Sequence, residues 1–205
     1  MIRPASFEDE CFIVLLPGGL VAENAGRLQR VISDEYELYN RDEMPPLHIT
    51  LDRIRREDKL EAARIAVRAL KENSTEMNIM VEDFNCMSQD DNRFLVLNVR
   101  ATNSLQEFSR ELHDRLSDAG ISTLDNYDEW QFHITLVNNH FVDRPLTFSD
   151  FKGLCLELED EVSRIISPAR RLEIWRPISD EEKRRYFSID LTEVRPTQKG
   201  ETANG

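Results

Sequence analysis

The tetrapeptide His-Ile-Thr-Leu occurs twice in this chain, at His48 to Leu51 and at His133 to Leu136, each time after a bulky apolar residue, Leu47 or Phe132. The chain has only four histidines, and two of them stand in this same frame, eighty-five residues apart. Successive side chains of an extended strand point to opposite faces. His48 and Thr50 therefore share one face while Leu47, Ile49 and Leu51 share the other. The second copy sorts identically, with His133 and Thr135 on one side and Phe132, Ile134 and Leu136 on the other. Each motif reads as a strand with a packed back and a polar, chemically competent front. Two such fronts facing each other would place two imidazoles and two hydroxyls around one small volume.

The order of elements around the motifs supports a duplication. An apolar run at Phe12 to Leu16 ends at Pro17-Gly18-Gly19, and Val21, Ala25, Leu28 and Ile32 then recur at helical spacing. The first motif strand is expected from Leu47 to Ile54, after Pro45 and Pro46 stop any helix. Asp58 and Glu61 resemble a capping box for a helix burying Leu60, Ala63, Val67 and Leu70. Strands are expected at Met77 to Phe84 and Arg93 to Val99. The order then returns: a second capping box at Ser104 and Glu107, a helix to Gly120, and the motif strand Gln131 to Asn138. A helix from Thr147 to Glu159 and strands at Leu172 to Trp175 and Arg185 to Thr192 follow. The expected fold is α+β: one domain over residues 1–195, with lobes at 12–100 and 101–192 related by a pseudo-twofold. Antiparallel sheets would line a central cleft, helices would lie outside, and residues 196–205 would form a disordered tail.

Composition narrows the partners. At 40% hydrophobic and 32% charged, the chain has the make-up of a globular domain, and its longest apolar run cannot span a bilayer. A net charge of −13 opposes an extended nucleic-acid groove, because counterion release demands a basic footprint. Local basic clusters at Arg53 to Arg56, Arg170–Arg171 and Lys183 to Arg185 still suit a small phosphate ligand or an RNA end. Cys11, Cys86 and Cys155 are odd in number and far apart, which predicts free thiols, a cytoplasmic setting and no structural zinc. A monomer is expected.

Histidine both accepts and donates protons near neutrality, with an unperturbed pKa of about 6.5. Two histidines on opposite sides of a phosphorus can divide an in-line displacement, one as base and one as acid. Each Thr lies about 6.7 Å along the strand from its His, where its hydroxyl can bond a non-bridging oxygen. This scheme needs no metal and no cofactor. A metal site of His48, His133 and Asp52, which alternation would put on the His48 face, lacks a close ligand pair.

The paired motifs, His-x-Ser/Thr flanked by apolar residues, resemble those of the two-histidine phosphoesterase superfamily, which includes 2′-5′ RNA ligase-like proteins and cyclic nucleotide phosphodiesterases. The resemblance rests on Leu47 to Leu51 and Phe132 to Leu136. It implies His48 and His133 as the catalytic pair, Thr50 and Thr135 as phosphate binders, and metal-independent hydrolysis of 2′,3′-cyclic phosphates or related RNA ends. Many relatives have Pro before the second His where this chain has Phe132. The alternative is a non-catalytic binder of nucleotides or RNA ends on the same fold. Candidate substrate contacts are Tyr127 and Trp130 (as base platforms, or else core or rim), His140 and Arg53. His113 reads as a solvated or half-buried helix residue.

Overall fold

The computed structural model describes residues 5–39, 44–73, 76–89, 92–158, 164–178 and 180–192; the expected tail lies outside them. In chain order the elements are β1 (Glu10–Pro17), α1 (Gly19–Tyr36), β2 (Ile49–Arg55), α2 (Lys59–Glu72), β3 (Asn78–Gln89) and β4 (Asn92–Ala101). There follow α3 (Asn103–Asp118), β5 (His133–Asn138), α4 (Phe148–Leu158), β6 (Ile165–Trp175), α5 (Glu181–Arg184) and β7 (Arg185–Asp190). The fold is α+β, with a large antiparallel sheet flanked by helices, as the sequence led us to expect.

Strand pairing runs β1-β2-β5-β4-β3-β6, and β6 pairs back onto β1, with β7 attached beyond it. The long β6 makes this closure possible. Ile165 to Pro168 pair with β3, while Ala169 to Trp175 pair with β1. The junction of β1 and α1 fits tightly there: a Cβ on Gly18 would stand 2.9 Å from the Pro168 carbonyl oxygen, so only glycine fits.

The two motif strands meet at one register pair, Ile49 opposite Ile134. Both are fully buried, so the motif backs form part of the core. Each motif strand then carries a β-bulge at the same place. In β2, Thr50 faces Val14 and Asp52 faces Ile13, leaving Leu51 as the extra residue. In β5, Thr135 faces Val96 and Val137 faces Leu95, leaving Leu136 as the extra residue. A bulge adds one residue and interrupts the alternation of faces. Leu51 with Asp52, and Leu136 with Val137, are accordingly consecutive residues with no exposure.

That bulge corrects the placement of Asp52. It turns away from His48 toward α3, where its carboxylate accepts from His113 Nδ1 (2.7 Å), Ser122 Oγ (2.8 Å) and the Arg53 amide (2.6 Å). His113 is therefore a buried partner rather than a solvated or half-buried helix residue. The carboxylate is satisfied on three sides, which a buried acceptor of this kind requires.

Two helix starts also differ from expectation. Thr102, not Ser104, caps α3 by accepting from the Leu105 amide, and Asp58 makes no cap bond but accepts from Arg55 Nε at 2.7 Å. The buried face of α2 is Ala62, Ala66, Ala69 and Leu70, with Leu60 exposed, because α2 packs closely on α3 and small side chains permit that approach.

The expectation of three free thiols is overturned. Cys86 on β3 and Cys155 on α4 form a disulfide with a Cα–Cα distance of 6.0 Å, while Cys11 is free and buried. Sixty-nine residues separate the two, so only the packing of α4 on β3 reveals the pair. Thiol titration of denatured, unreduced protein should find one reactive cysteine of the three, and reduction should lower the unfolding midpoint. Closing a loop of this length is worth about 4 kcal/mol in the chain-entropy model. Three titratable thiols without reductant would remove the bridge.

Candidate functional site

The residues before each motif set up the histidines. Pro45 and Pro46 have no amide hydrogen, so the strand ladder begins only at Ile49 and His48 sits at its threshold. There His48 Nδ1 lies 2.9 Å from the Pro46 carbonyl, and His133 Nδ1 lies 3.0 Å from the Gln131 carbonyl. A carbonyl oxygen can only accept, so each Nδ1 carries the proton and donates it two residues back. Both Nε2 atoms are left with their lone pairs. One local device thus sets the same tautomer and ring orientation at both motifs.

The register sets the mutual arrangement. With Ile49 opposite Ile134, one step along the antiparallel ladder sets His48 opposite Thr135 and Thr50 opposite His133. Each histidine thus stands across from the other motif's threonine. Val14 and Val96, cross-strand from the two threonines, have no exposure. His48, Thr50, His133 and Thr135 all remain partly exposed.

Both imidazoles are disfavoured as cations. Desolvation is the largest cause at His48 and lowers its pKa to about 4; the Pro46 carbonyl opposes this, and the charges of His133 and Arg184 add to it. His133 is also lowered, again chiefly by desolvation and against the Gln131 hydrogen bond. His133 is one of the charges that disfavour a His48 cation.

The other candidates fall in different places. Trp130 Nε1 donates to the Thr50 carbonyl at 2.9 Å, tying the approach to the second motif onto the first motif strand. The Arg53 guanidinium lies 5.7 Å from the Trp130 ring centre. Tyr127 stacks on His113 at 4.2 Å and takes Arg110 at 4.7 Å, so its ring is engaged with α3. Its hydroxyl is pushed up to about 12 by burial. His140 packs against Phe7 (5.3 Å) and Phe141 (4.9 Å) past the end of β5. Sequence reasoning missed Trp175, whose ring centre lies 4.7 Å from that of His48. No local pattern marks it, because the two lie on strands far apart in sequence.

Ser117 Oγ, 3.2 Å from His113 Nε2, completes a serine-histidine-aspartate line with Asp52. It lacks what acyl transfer needs. The Ala119, Gly120, Ile121 and Ser122 amides beside it are all donated to carbonyls, leaving no oxyanion hole. Among the described residues no group of three or more His, Cys, Asp or Glu is arranged to hold a metal.

The paired anchored histidines, each with a threonine two residues on, are the features by which the sequence resembles the two-histidine phosphoesterases. The chain belongs to the 2′-5′ RNA ligase superfamily, whose family model matches residues 20–152 and so spans both motifs. No curated protein sequence matches. Solved structures share the fold at low identity. TT0787 of Thermus thermophilus is 13% identical over 89% of this chain and 97% of that one, with a TM-score of 0.53. Kluyveromyces marxianus Usb1 with uridine monophosphate is 12% identical over 90% and 98%, with a TM-score of 0.51. E. coli LigT in its apo form is 12% identical over 89% and 95%, with a TM-score of 0.50.

Lowered histidine pKa values have a definite sign. They keep the neutral base available into acid and remove the protonated acid before neutrality. For the free protein, kcat/KM should peak below pH 6.5, and the kcat profile should lie at higher pH because a bound anionic phosphate favours imidazolium. NMR titration should place His48 near 4 in the free protein and higher with inorganic phosphate bound. Midpoints at or above 6.5 for both histidines would contradict this account.

Proposed function

We propose that the protein is a metal-independent phosphodiesterase that hydrolyses a 2′,3′-cyclic phosphate or a related 2′-5′ diester in a nucleotide or at an RNA end. One observation carries the reading: the register pair Ile49–Ile134, which sets each histidine across from the other motif's threonine. His48 and His133 are the acid–base pair. One Nε2 takes a proton from the attacking water while the other imidazolium gives its proton to the departing ribose oxygen. Thr50 and Thr135 donate to the non-bridging oxygens, where charge gathers as phosphorus becomes five-coordinate.

We read the chain as two lobes around a cleft, related by exchanging β1α1β2α2β3 with β4α3β5α4β6. Under that exchange the pairs β1–β2 and β4–β5 interchange, as do β1–β6 and β3–β4, while β2–β5 and β3–β6 map onto themselves. The two bulges interchange as well. On this reading the repeat begins with β1 and the lobes divide between β3 and β4, earlier than the boundary at residue 100. A monomer suffices, because one chain supplies both motifs. A cytoplasmic setting suits such substrates, though the Cys86–Cys155 bridge removes its first rationale.

The direct test is product detection with 2′,3′-cyclic nucleotides. His48→Ala and His133→Ala should each lower turnover by roughly 10² to 10⁴, and the double variant should fall well short of the product of the two losses. Thr50→Ala and Thr135→Ala should be milder, each removing one hydrogen bond. Folded single histidine variants with near-wild-type turnover would place the chemistry elsewhere. Binding without turnover in the wild type would favour a nucleotide- or RNA-end-binding role.

Activity should also survive EDTA. Loss in chelator with recovery on zinc or manganese would point to a metal-assisted reaction instead.

A further inference from the structure

β7 stands outside the repeated order and has no partner under the exchange, yet it helps to hold a side chain at the first motif. β1 lies between β2 and β6, and its Val14 faces Thr50 on one side and Glu173 on the other, so Glu173 shares the motif face. That residue is 2% exposed, and a buried carboxylate needs donors. Trp175 Nε1 donates to Glu173 Oε2 at 2.6 Å, and Ser188 Oγ, from β7, donates to Oε1 at 2.9 Å. Arg171 and Arg185 stand 3.5 and 3.8 Å from Oε1. The edge of Trp175 is thus tied to an anchored group, and the residue is 4% exposed. Its ring centre lies 4.7 Å from that of His48, at an interplanar angle of 59°, and 4.8 Å from Arg184 Cζ. The indole and the motif imidazole meet as a tilted aromatic pair, and the indole is not free to turn.

His133 receives nothing equivalent. Phe12 faces Trp175 across β1–β6 as Phe94 faces Met87 across β4–β3, so Met87, 38% exposed, stands where Trp175 stands in the other half. The counterpart of Glu173 is Asn85, which faces Val96 as Glu173 faces Val14, and it is exposed rather than buried. Among the described residues no aromatic ring meets His133. Both the ring and its anchor belong to one motif.

We infer that Trp175 is a positioning residue for His48: held at its edge by Glu173, the indole shields the imidazole from water and limits how that ring turns. This rests on the phosphodiesterase reading for what His48 does, and it adds the residue that makes the two motif histidines differ in environment. An imidazole takes up a proton less readily where water is excluded, and desolvation is the largest cause of the lowered His48 pKa. The charged groups acting on His48 are His133 on β5 and Arg184 on α5, which lower it further, Arg184 being the smallest of the causes. Glu173 is the remaining charge on this face, and its carboxylate is engaged by its own donors.

NMR titration of both histidines in the free protein tests the inference without requiring turnover. Trp175→Leu removes the indole and should raise the His48 pKa from about 4 by roughly one unit or more, toward about 6.5, while His133 moves far less. Trp175→Phe keeps a ring and loses the edge bond, so it should fall between, and it carries the test if the leucine variant does not fold. Arg184→Gln removes the charge and leaves the indole, and should move His48 less than Trp175→Leu does. An unmoved His48 in the tryptophan variants, equal shifts at the two histidines, or an Arg184→Gln shift as large as that of Trp175→Leu would each overturn the assignment. With adenosine 2′,3′-cyclic phosphate, Trp175→Phe should lower kcat by roughly ten- to a hundredfold with KM changing less, and the limb of the kcat/KM profile set by His48 should rise with its pKa. An unchanged pH profile in an active Trp175→Phe variant would also overturn it. The expected His48 shift in a protein whose wild type shows no turnover would leave the shielding standing and remove the phosphodiesterase.

Discussion

One backbone contact, Ile49 opposite Ile134, brings together motifs eighty-five residues apart. Everything chemical about the site follows from that register. Antiparallel pairing has a local twofold at each pair, so whatever one strand presents at a step before the pair meets what the other presents a step after. A motif that repeats around this point becomes a matched set. The two isoleucines are fully buried, which stakes the core's packing on the same register that aligns the imidazoles. Slipping by one residue would send histidines into the apolar layer and isoleucines into water.

The electrostatics are local and run against the chain's overall sign. A net charge of −13 describes the far field, while the first motif is surrounded by His133, Arg184 and, through Trp130, Arg53. Within a Debye length of roughly 8–10 Å the near charges outweigh the distant ones. His133 and Arg184 also oppose protonation of His48, so a bound anion and a protonated imidazole support each other. On the proposed mechanism, substrate binding and acid–base readiness are one coupled event at this site.

The sequence disclosed what is periodic or repeated. The motifs, their strand faces up to the threonines, and most helices and strands could be read from alternation and helical spacing. Asp52 could not, because a bulge at Leu51 is a matter of cross-strand register and leaves no mark in composition. The α2 face was misjudged for a related reason: Leu60 is the more apolar residue, yet the close approach of α3 selects Ala62, Ala66 and Ala69. The Cys86–Cys155 bridge and the contact of Trp175 with His48 join elements distant in the chain. Nothing short of tertiary packing assigns them. Arg184 lay inside a basic run that the sequence did reveal, without any sign of which of its charges turns toward the motif.

The paired bulges carry a consequence for how this chain tolerates change in length. A strand keeps its two faces by parity, odd residues to one side and even to the other. Leu51 and Leu136 each reset that count, so Asp52 and Val137 keep to the core side although parity assigns them to the front. Removing Leu51 alone would restore strict alternation in β2 while leaving β5 interrupted, and the two halves would no longer bend alike. A one-residue deletion there is a larger injury than the loss of a leucine side chain. The motif's fourth letter matters for the count it keeps as well as for the methyl groups it buries.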